Sequence, residues 1–393
     1  MKIVMVQTTL GHYHPPRLIN LAKTCQREGH EFHNIELSGS ISTYPWFQAA
    51  AQGEFSNISL FPDRQLENIP AEEMWSKLRA TLEGMKLDVA ILMGYSLPVL
   101  RQAQAWCEHN RIATVLISDS NYFDKKRFFP FEFLKYLFVH KADAAFVAGQ
   151  TARDYMIKLG IPKERIAFGC DVVDVQAISR QAGLNRERIQ QVRQKWSLPE
   201  HYFLFVGRLV PEKNVLGLLE AYEKYLHDDK SENAWHLVIC GAGTEQEKIE
   251  AYLNNVPAED RVKVHLSGFI GPNEIVDFYS GASTFILPSL SEPWGLVVNE
   301  AMACSLPVIV SNRCGSAFSL VQEGENGWII DPLDPVMMAS VMKKAANMDP
   351  EQRAAYGKRS RALINDWDLD LYSRGVIESS KLALAHARKK YKG

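Results

Sequence analysis

The feature that most constrains this chain is a unit repeated along it: a short apolar run, a turn, then an amphipathic stretch. Near-continuous apolar runs stand at Ile3–Val6, Leu87–Gly94, Ile112–Ile117 and Ala144–Val147. The pattern restarts at Tyr202–Gly207 and continues through His236–Cys240, Val262–Leu266, Phe285–Leu287 and Val308–Val310. Runs without polar alternation predict strands buried on both faces, as in parallel sheets. Between them, Val215, Leu218, Leu219, Tyr222 and Leu226 fall on one helical face. Thr244 and Glu247 have the spacing of a capping box just after Gly241-Ala242-Gly243. The alternation predicts the α/β class, with two Rossmann-like, doubly wound parallel-sheet domains. The polar stretch 181–200 reads as the join, giving domains at 1–190 and 200–365 and a C-terminal helix over 366–393 that packs back on the first. Two such halves facing a cleft would bind ligand at the carboxyl ends of their strands.

Composition removes several function classes. With 44 basic against 46 acidic residues, the net charge of −2 leaves no global basic footprint, so no nucleic-acid partner is expected. The cysteines, Cys25, Cys107, Cys170, Cys240, Cys304 and Cys314, form no Cys-x-x-Cys pair, which gives zinc and thioredoxin chemistry no support. Scattered thiols predict a reduced, cytoplasmic protein. Met1–Gln7 reads as a first strand and not a signal peptide, and no run reaches the ~18 apolar residues of a membrane span.

Chemistry concentrates between Leu287 and Ala303, where a strand ends, a turn follows, and a helix starts near Gly295. Backbone N–H groups of Gly295, Leu296 and Val297 would point at an anion, which the helix dipole also favours. Glu292 precedes that helix and Glu300 lies along it. An anion flanked by two carboxylates suits a nucleotide sugar, one carboxylate accepting from sugar hydroxyls and the other from a ribose diol.

Glu292-x7-Glu300 with Gly295 resembles the Glu-x7-Glu motif of family-4 retaining glycosyltransferases, which have the GT-B fold. Val206-Gly207-Arg208-Leu209-Val210-Pro211-Glu212-Lys213-Asn214 is similar to that family's Gly-Arg-Leu…Lys segment, and Cys240–Gly243 to its Gly-x-Gly turn. Pro307–Val310 resembles the strand after the motif helix, Asn326-Gly327-Trp328 a Gly-rich hairpin, and Gly169–Asp174 a weaker match near the domain border. The resemblance implies a retaining, metal-independent hexosyltransferase with no cofactor, using a nucleoside-diphosphate sugar (UDP first, GDP second) and a hydroxyl acceptor such as a glycan or lipid-linked intermediate. It implies that Arg208 and Lys213 neutralise the diphosphate, that Glu292 holds sugar hydroxyls, and that Glu300 binds the ribose. Gly207 and the amides of Gly295, Leu296 and Val297 would contact the donor, and Phe269 and Ile270 after Gly268 the base. Gly11, His12, His14 and Asp119 would lie on the acceptor side. A catalytically silent nucleotide-sugar binder and a GT-B epimerase stay open as rivals.

Departures from the family lie mostly on that acceptor side. The first loop, Thr8–Pro15, has one glycine and two histidines; Ser118-Asp119-Ser120 stands where a histidine is common; Ser305 replaces a glycine; and the loop at Cys314–Ser319 lacks a glutamate. Asp366, Asp368 and Asp370 follow no strand and read as helix-start carboxylates. Residues 125–138 interleave Lys125, Lys126, Arg127 and Lys135 with aromatics. That stretch reads two ways: as a peripheral contact with an anionic membrane at its inner face, or as a helix whose aromatic face packs under the sheet.

Overall fold

A computed structural model describes residues 1–42, 55–124, 127–228 and 234–391. It divides into two units, the first made of 1–122, 126–174 and 368–393, the second of 123–125 and 175–367.

Unit 1 runs β1 (Lys2–Gln7), α1 (His14–Arg27), β2 (Glu31–Glu36), β3 (Asn57–Ser59), α2 (Ala71–Glu83), β4 (Val89–Met93), α3 (Pro98–His109), β5 (Ala113–Ser118), α4 (Phe129–Val139), β6 (Ala144–Val147), α5 (Gln150–Lys158) and β7 (Ile166–Phe168). Its strands pair in parallel in the order β3-β2-β1-β4-β5-β6-β7. The order reverses direction between β1 and β4, so a crevice opens at the carboxyl ends of those two strands. β2 escaped the sequence pattern because Glu31, His33, Asn34 and Glu36 interrupt it. Its fully buried Asn34 is satisfied sideways, accepting from Gln7 Nε2 at 2.6 Å and donating to Asn57 Oδ1 at 2.6 Å.

Unit 2 runs α6 (Val175–Glu187), α7 (Ile189–Trp196), β8 (Tyr202–Val206), α8 (Val215–Asp228), β9 (His236–Cys240), α9 (Gln246–Asn254), α10 (Ala258–Arg261), β10 (Val264–Gly268), α11 (Ile275–Gly281), β11 (Thr284–Leu287), α12 (Leu296–Ala303), β12 (Val308–Ser311), α13 (Ala317–Leu320), β13 (Gly327–Ile330), α14 (Pro335–Ala346) and α15 (Pro350–Ile364). The sheet order is β10-β9-β8-β11-β12-β13, again parallel, with the reversal between β8 and β11. The chain then returns to unit 1 as α16 (Leu369–Lys390).

Three local readings need correction. Residues 181–200 are not a loose join: α6 and α7 belong to unit 2, and the border falls at 174/175. The polar residues there are the contact itself, since buried Asn185 Nδ2 donates to Asp277 Oδ1 at 2.8 Å and Trp196 Nε1 to Asp277 Oδ2 at 2.8 Å. The Thr244–Glu247 capping box does not form; α9 starts behind Glu245, with no side-chain cap. Asn326-Gly327-Trp328 is no hairpin. It opens β13, a parallel edge strand, where a Cβ on Gly327 would sit 2.0 Å from Val308 O.

α16 shows how unit 1 holds its last segment. Asp368 caps it by accepting from Leu371 N at 2.9 Å, and Asp370 Oδ1 accepts from Asn20 Nδ2 at 2.9 Å. Buried Tyr372 meets Phe146 edge-on at 5.5 Å. Gly375 lets helix and sheet touch backbone to backbone, because a Cβ there would lie 2.4 Å from a Phe146 ring carbon and 2.5 Å from Phe168 O. Gly375→Ala is therefore expected to cost about 1–3 kcal/mol through overpacking. Gly183→Ala in α6, where a Cβ meets nothing within 4 Å, should be neutral or stabilising by up to ~1 kcal/mol. Thermal melting of the two variants checks the contrast.

Candidate functional site

The reversal between β8 and β11 places the loops that follow those strands side by side. After β8 the chain makes backbone bonds to the turn after β9: Gly207 N donates to Cys240 O at 3.0 Å and Leu209 N to Ala242 O at 2.9 Å. A Cβ on Gly241 would be 1.8 Å from Gly207 O, and one on Gly243 would be 2.3 Å from Leu209 O. The Gly-x-Gly turn is thus explained by close approach of two loops. The chain then makes a single 3-10 turn, Pro211–Lys213. Asn214, at φ +58°, donates to Pro288 O at 3.2 Å and Pro332 O at 2.8 Å, and Leu290 N donates to Glu212 O at 2.8 Å. These bonds pin the loop after β8 to the loop after β11 and, through Pro332, to the loop after β13.

The pinned loops bring Lys213 Nζ into an ion pair with Glu292 Oε2. Both side chains are largely buried, at 14% and 12% exposure, so each charge depends on the other. Ser289 Oγ also donates to Glu292 Oε2, at 3.5 Å. The Glu292 backbone is held by the loop after β12, accepting from Gly315 N at 3.0 Å and donating to Arg313 O at 3.1 Å. Arg208 sits half-buried in the same post-β8 loop.

Gly295 stands at φ +92°, the left-handed region, as the residue before α12. A Cβ there would lie 2.9 Å from Cys314 Sγ, whose thiol donates to Trp294 O at 2.8 Å. Leu296 and Val297 open the helix, and Val298 N already donates to Gly295 O at 2.9 Å. Glu300 is 7% exposed and accepts from Tyr279 Oη at 2.8 Å. Phe269, half exposed, and Ile270 follow β10, beside the bond from Gly241 N to Gly268 O at 2.7 Å. Every donor-side residue expected from the sequence therefore lies on the carboxyl edge of the unit 2 sheet or on α12. Three supporting residues were missed: Tyr279 and Asn214, which position Glu300 and the Lys213 loop, and Cys314. Only Asn214 carried a signal, as an Asn placed after a short turn, where left-handed backbone is tolerated.

In unit 1, Gly11 and His12 occupy the loop between β1 and α1, His14 opens α1, and exposed Asp119 follows β5. Gly11 N donates to His14 Nδ1 at 2.8 Å while His14 N donates to Gly11 O at 3.0 Å, which closes the turn and leaves the imidazole proton on Nε2. Burial, then the nearby Arg17 cation, lowers His14 to about 3 and His12 to about 4. Arg17 is fixed by donation from Nε and Nη2 to Val172 O at 2.9 and 2.6 Å. Both histidines are neutral at pH 7, able to donate or accept a hydrogen bond but carrying no charge.

The two parallel-sheet α/β units and the likeness to solved glycosyltransferase structures make this a GT-B fold. Over residues 187–363 the chain matches the family model described as glycosyl transferases group 1. A curated relative, the D-inositol 3-phosphate glycosyltransferase of Acidothermus cellulolyticus, is 32% identical over 193 residues, covering 47% of this chain and 42% of that one. The match thus spans less than half of that relative's length. A glycosyltransferase structure from Rickettsia africae aligns at TM-score 0.75 with 15% identity, over 98% of both chains. The Anabaena HepE structure in complex with UDP aligns at TM-score 0.71 with 17% identity, over 96% of this chain and 99% of that one.

The lowered histidines set a pH dependence. Unfolded imidazoles protonate below pH ~6.5, whereas the folded ones resist until about 4 and about 3. Their contribution is therefore present above pH ~6.5 and lost as the pH falls through about 4 for His12 and about 3 for His14. The wild-type melting temperature should fall across that window, and His14→Gln should flatten the slope while lowering the melting temperature at pH 7.

Proposed function

We propose that this chain is a retaining glycosyltransferase that moves a hexosyl unit from a nucleoside-diphosphate sugar to a hydroxyl. The observation that carries the reading is the Lys213–Glu292 pair at the β8/β11 reversal, directly before the amides of Gly295–Val297 and with Glu300 held by Tyr279 on α12. A diphosphate arriving at the helix start competes with Glu292 for Lys213. As the ammonium turns to phosphate oxygens, Glu292 is released to accept from sugar hydroxyls. Arg208 adds a second cation, and Glu300 accepts from the ribose. Fixed cations stabilise the charge that builds on a departing diphosphate more than water does. The leaving phosphate oxygen takes the acceptor proton on the same face, so configuration is retained without a strong protein base and without a metal. The donor nucleotide is UDP ahead of GDP, in keeping with the UDP of the Anabaena neighbour. The acceptor hydroxyl is assigned to the Gly11–His14 loop and Asp119, where neutral His14 has an Nε2 proton to donate.

We also infer a partner surface for α4. The reading that its aromatic face packs under the sheet fails: Phe128, Phe131, Phe133 and Leu134 are 61%, 63%, 52% and 50% exposed. Lys125 and Lys126 lie outside the described residues. Between Tyr122 and Lys141 the sequence has five Lys or Arg against two acids. Apolar side chains within a cationic segment complement an anionic lipid surface. A two-fold contact between copies through this face would set like charges opposite each other.

Lys213→Ala and Glu300→Ala should each cut transfer at least ~100-fold, the loss expected when one transition-state contact goes. The measurement is transfer and slow donor hydrolysis, with the donor chosen by the largest thermal shift among nucleotide sugars. Near-normal turnover in both variants would overturn the assignment. Donor binding without hydrolysis or transfer would indicate a silent binder, and conversion of donor without acceptor an epimerase. In flotation assays the protein should bind phosphatidylglycerol–phosphatidylcholine vesicles and not phosphatidylcholine alone. Phe128→Ser with Phe131→Ser should weaken this at least about tenfold at unchanged melting temperature. Failure of the wild type to bind, or a concentration-dependent dimer that Phe131→Ser abolishes, would refute the membrane contact.

A further inference from the structure

A groove of about 570 Å3 lies at the amino-terminal ends of the strands whose carboxyl ends carry the donor site. Its walls are Arg186 from α6, Ser283 before β11, Ser305 before β12, and Arg353, Lys358 and Arg361 along one face of α15. β11 separates it from the turn that leads to Glu292, and four strand residues span roughly 13 Å.

The charges in this groove lack close counter-ions among the described residues. Four cations line it and no carboxylate does. None of the four makes an ion pair among the described residues. The arginines spend part of their hydrogen bonding on neutral acceptors instead. Arg186 donates to Cys304 O, and Arg361 donates to Ser179 Oγ at 3.0 Å and to Asn365 Oδ1. The Arg353 guanidinium lies over the Trp235 ring at 5.0 Å. The acid that acts on Arg353 from a distance, Asp349, is occupied in capping α15, accepting from Gln352 N at 2.8 Å. Burial lowers Arg353 and Arg361 from the usual arginine range, outweighing distant Asp349 for Arg353, as expected for cations drawn partly out of water without an ion-pair partner.

The groove is also rigid and of ligand size. A Cβ on Gly357 would be 2.1 Å from Ser305 O, so α15 meets the loop before β12 at backbone contact. Ser305 itself stands at φ +56°. Small-molecule sites typically enclose about 300–1,000 Å3. Ala282, Leu306 and Ala354 add apolar wall between the cations, which suits an organic molecule better than a bare ion. Planar guanidiniums recognise phosphate through paired N–H donors.

We propose that this groove binds the phosphate ester of a small polar molecule, as a second ligand site of unit 2 separate from the Lys213–Glu292 site. The inference does not rest on glycosyl transfer. Isothermal titration of the full chain with glucose 6-phosphate and with AMP tests it, with glucose and sulfate as controls. At least one phosphate ester should bind with a dissociation constant below a millimolar, while glucose does not bind and sulfate binds more weakly. Lys358→Glu, at an exposed position chosen to spare the fold, and Arg353→Gln should each weaken that binding at least about tenfold. Lys213→Ala should leave it unchanged. Absence of binding by both esters at millimolar concentration would overturn the proposal. So would sulfate binding as tightly as the esters, binding unaltered in Lys358→Glu and Arg353→Gln, or binding abolished by Lys213→Ala.

Discussion

The reversal of strand order between β8 and β11 is the constraint on which the rest of unit 2 depends. On either side of it the connecting helices leave to opposite faces of the sheet, so the two loops are left uncovered and adjacent. One carries a cation and the other an anion. Asn214 and Glu212 tie the loops by backbone carbonyls and amides, and this makes a partly buried Lys213–Glu292 pair tolerable. Desolvating two charges costs several kcal/mol each unless geometry and neighbouring hydrogen bonds offset it. Such a pair is therefore weak as a source of stability, which agrees with the ligand role proposed for it.

Glycines mark where backbone must approach backbone. Gly241, Gly243 and Gly327 sit against neighbouring loops or strands at distances no Cβ would allow, and Gly375 does the same for α16 in unit 1. Gly295 differs, since its left-handed φ aims the start of α12 while Cys314 closes the space behind it. The Gly241–Gly243 turn and the turn at Gly295, proposed to face an anion, thus have different physical causes. Their neighbours distinguish them, not their residue type.

The two ends of the unit 2 strands are electrostatically unlike. At the carboxyl edge Lys213 is matched by Glu292, whereas at the amino edge Arg353, Lys358 and Arg361 form no ion pair among the described residues. In unit 1 Arg17 is spent on Val172 O, and burial, with Arg17 adding to it, keeps two histidines neutral. Charge in this protein is thus unevenly distributed, although the total is nearly balanced.

The sequence by itself determined the class of fold, the spacing of most strands, and the residues clustered from Gly207 to Lys213 and from Glu292 to Glu300. Apolar periodicity and turn chemistry are local properties and are written in neighbouring residues. It could not show β2, whose buried Asn34 is satisfied by Gln7 and Asn57 across the sheet, nor that the polar stretch of α6 and α7 is a packed contact. It left α4 ambiguous, because an aromatic run reads the same whether buried or exposed. Tyr279 beside Glu300, and Arg186 beside Arg353 and Arg361, are joined only when distant segments pack. Those pairings belong to the tertiary structure because electrostatic and hydrogen-bonding partners are chosen by distance in space, which no local pattern encodes.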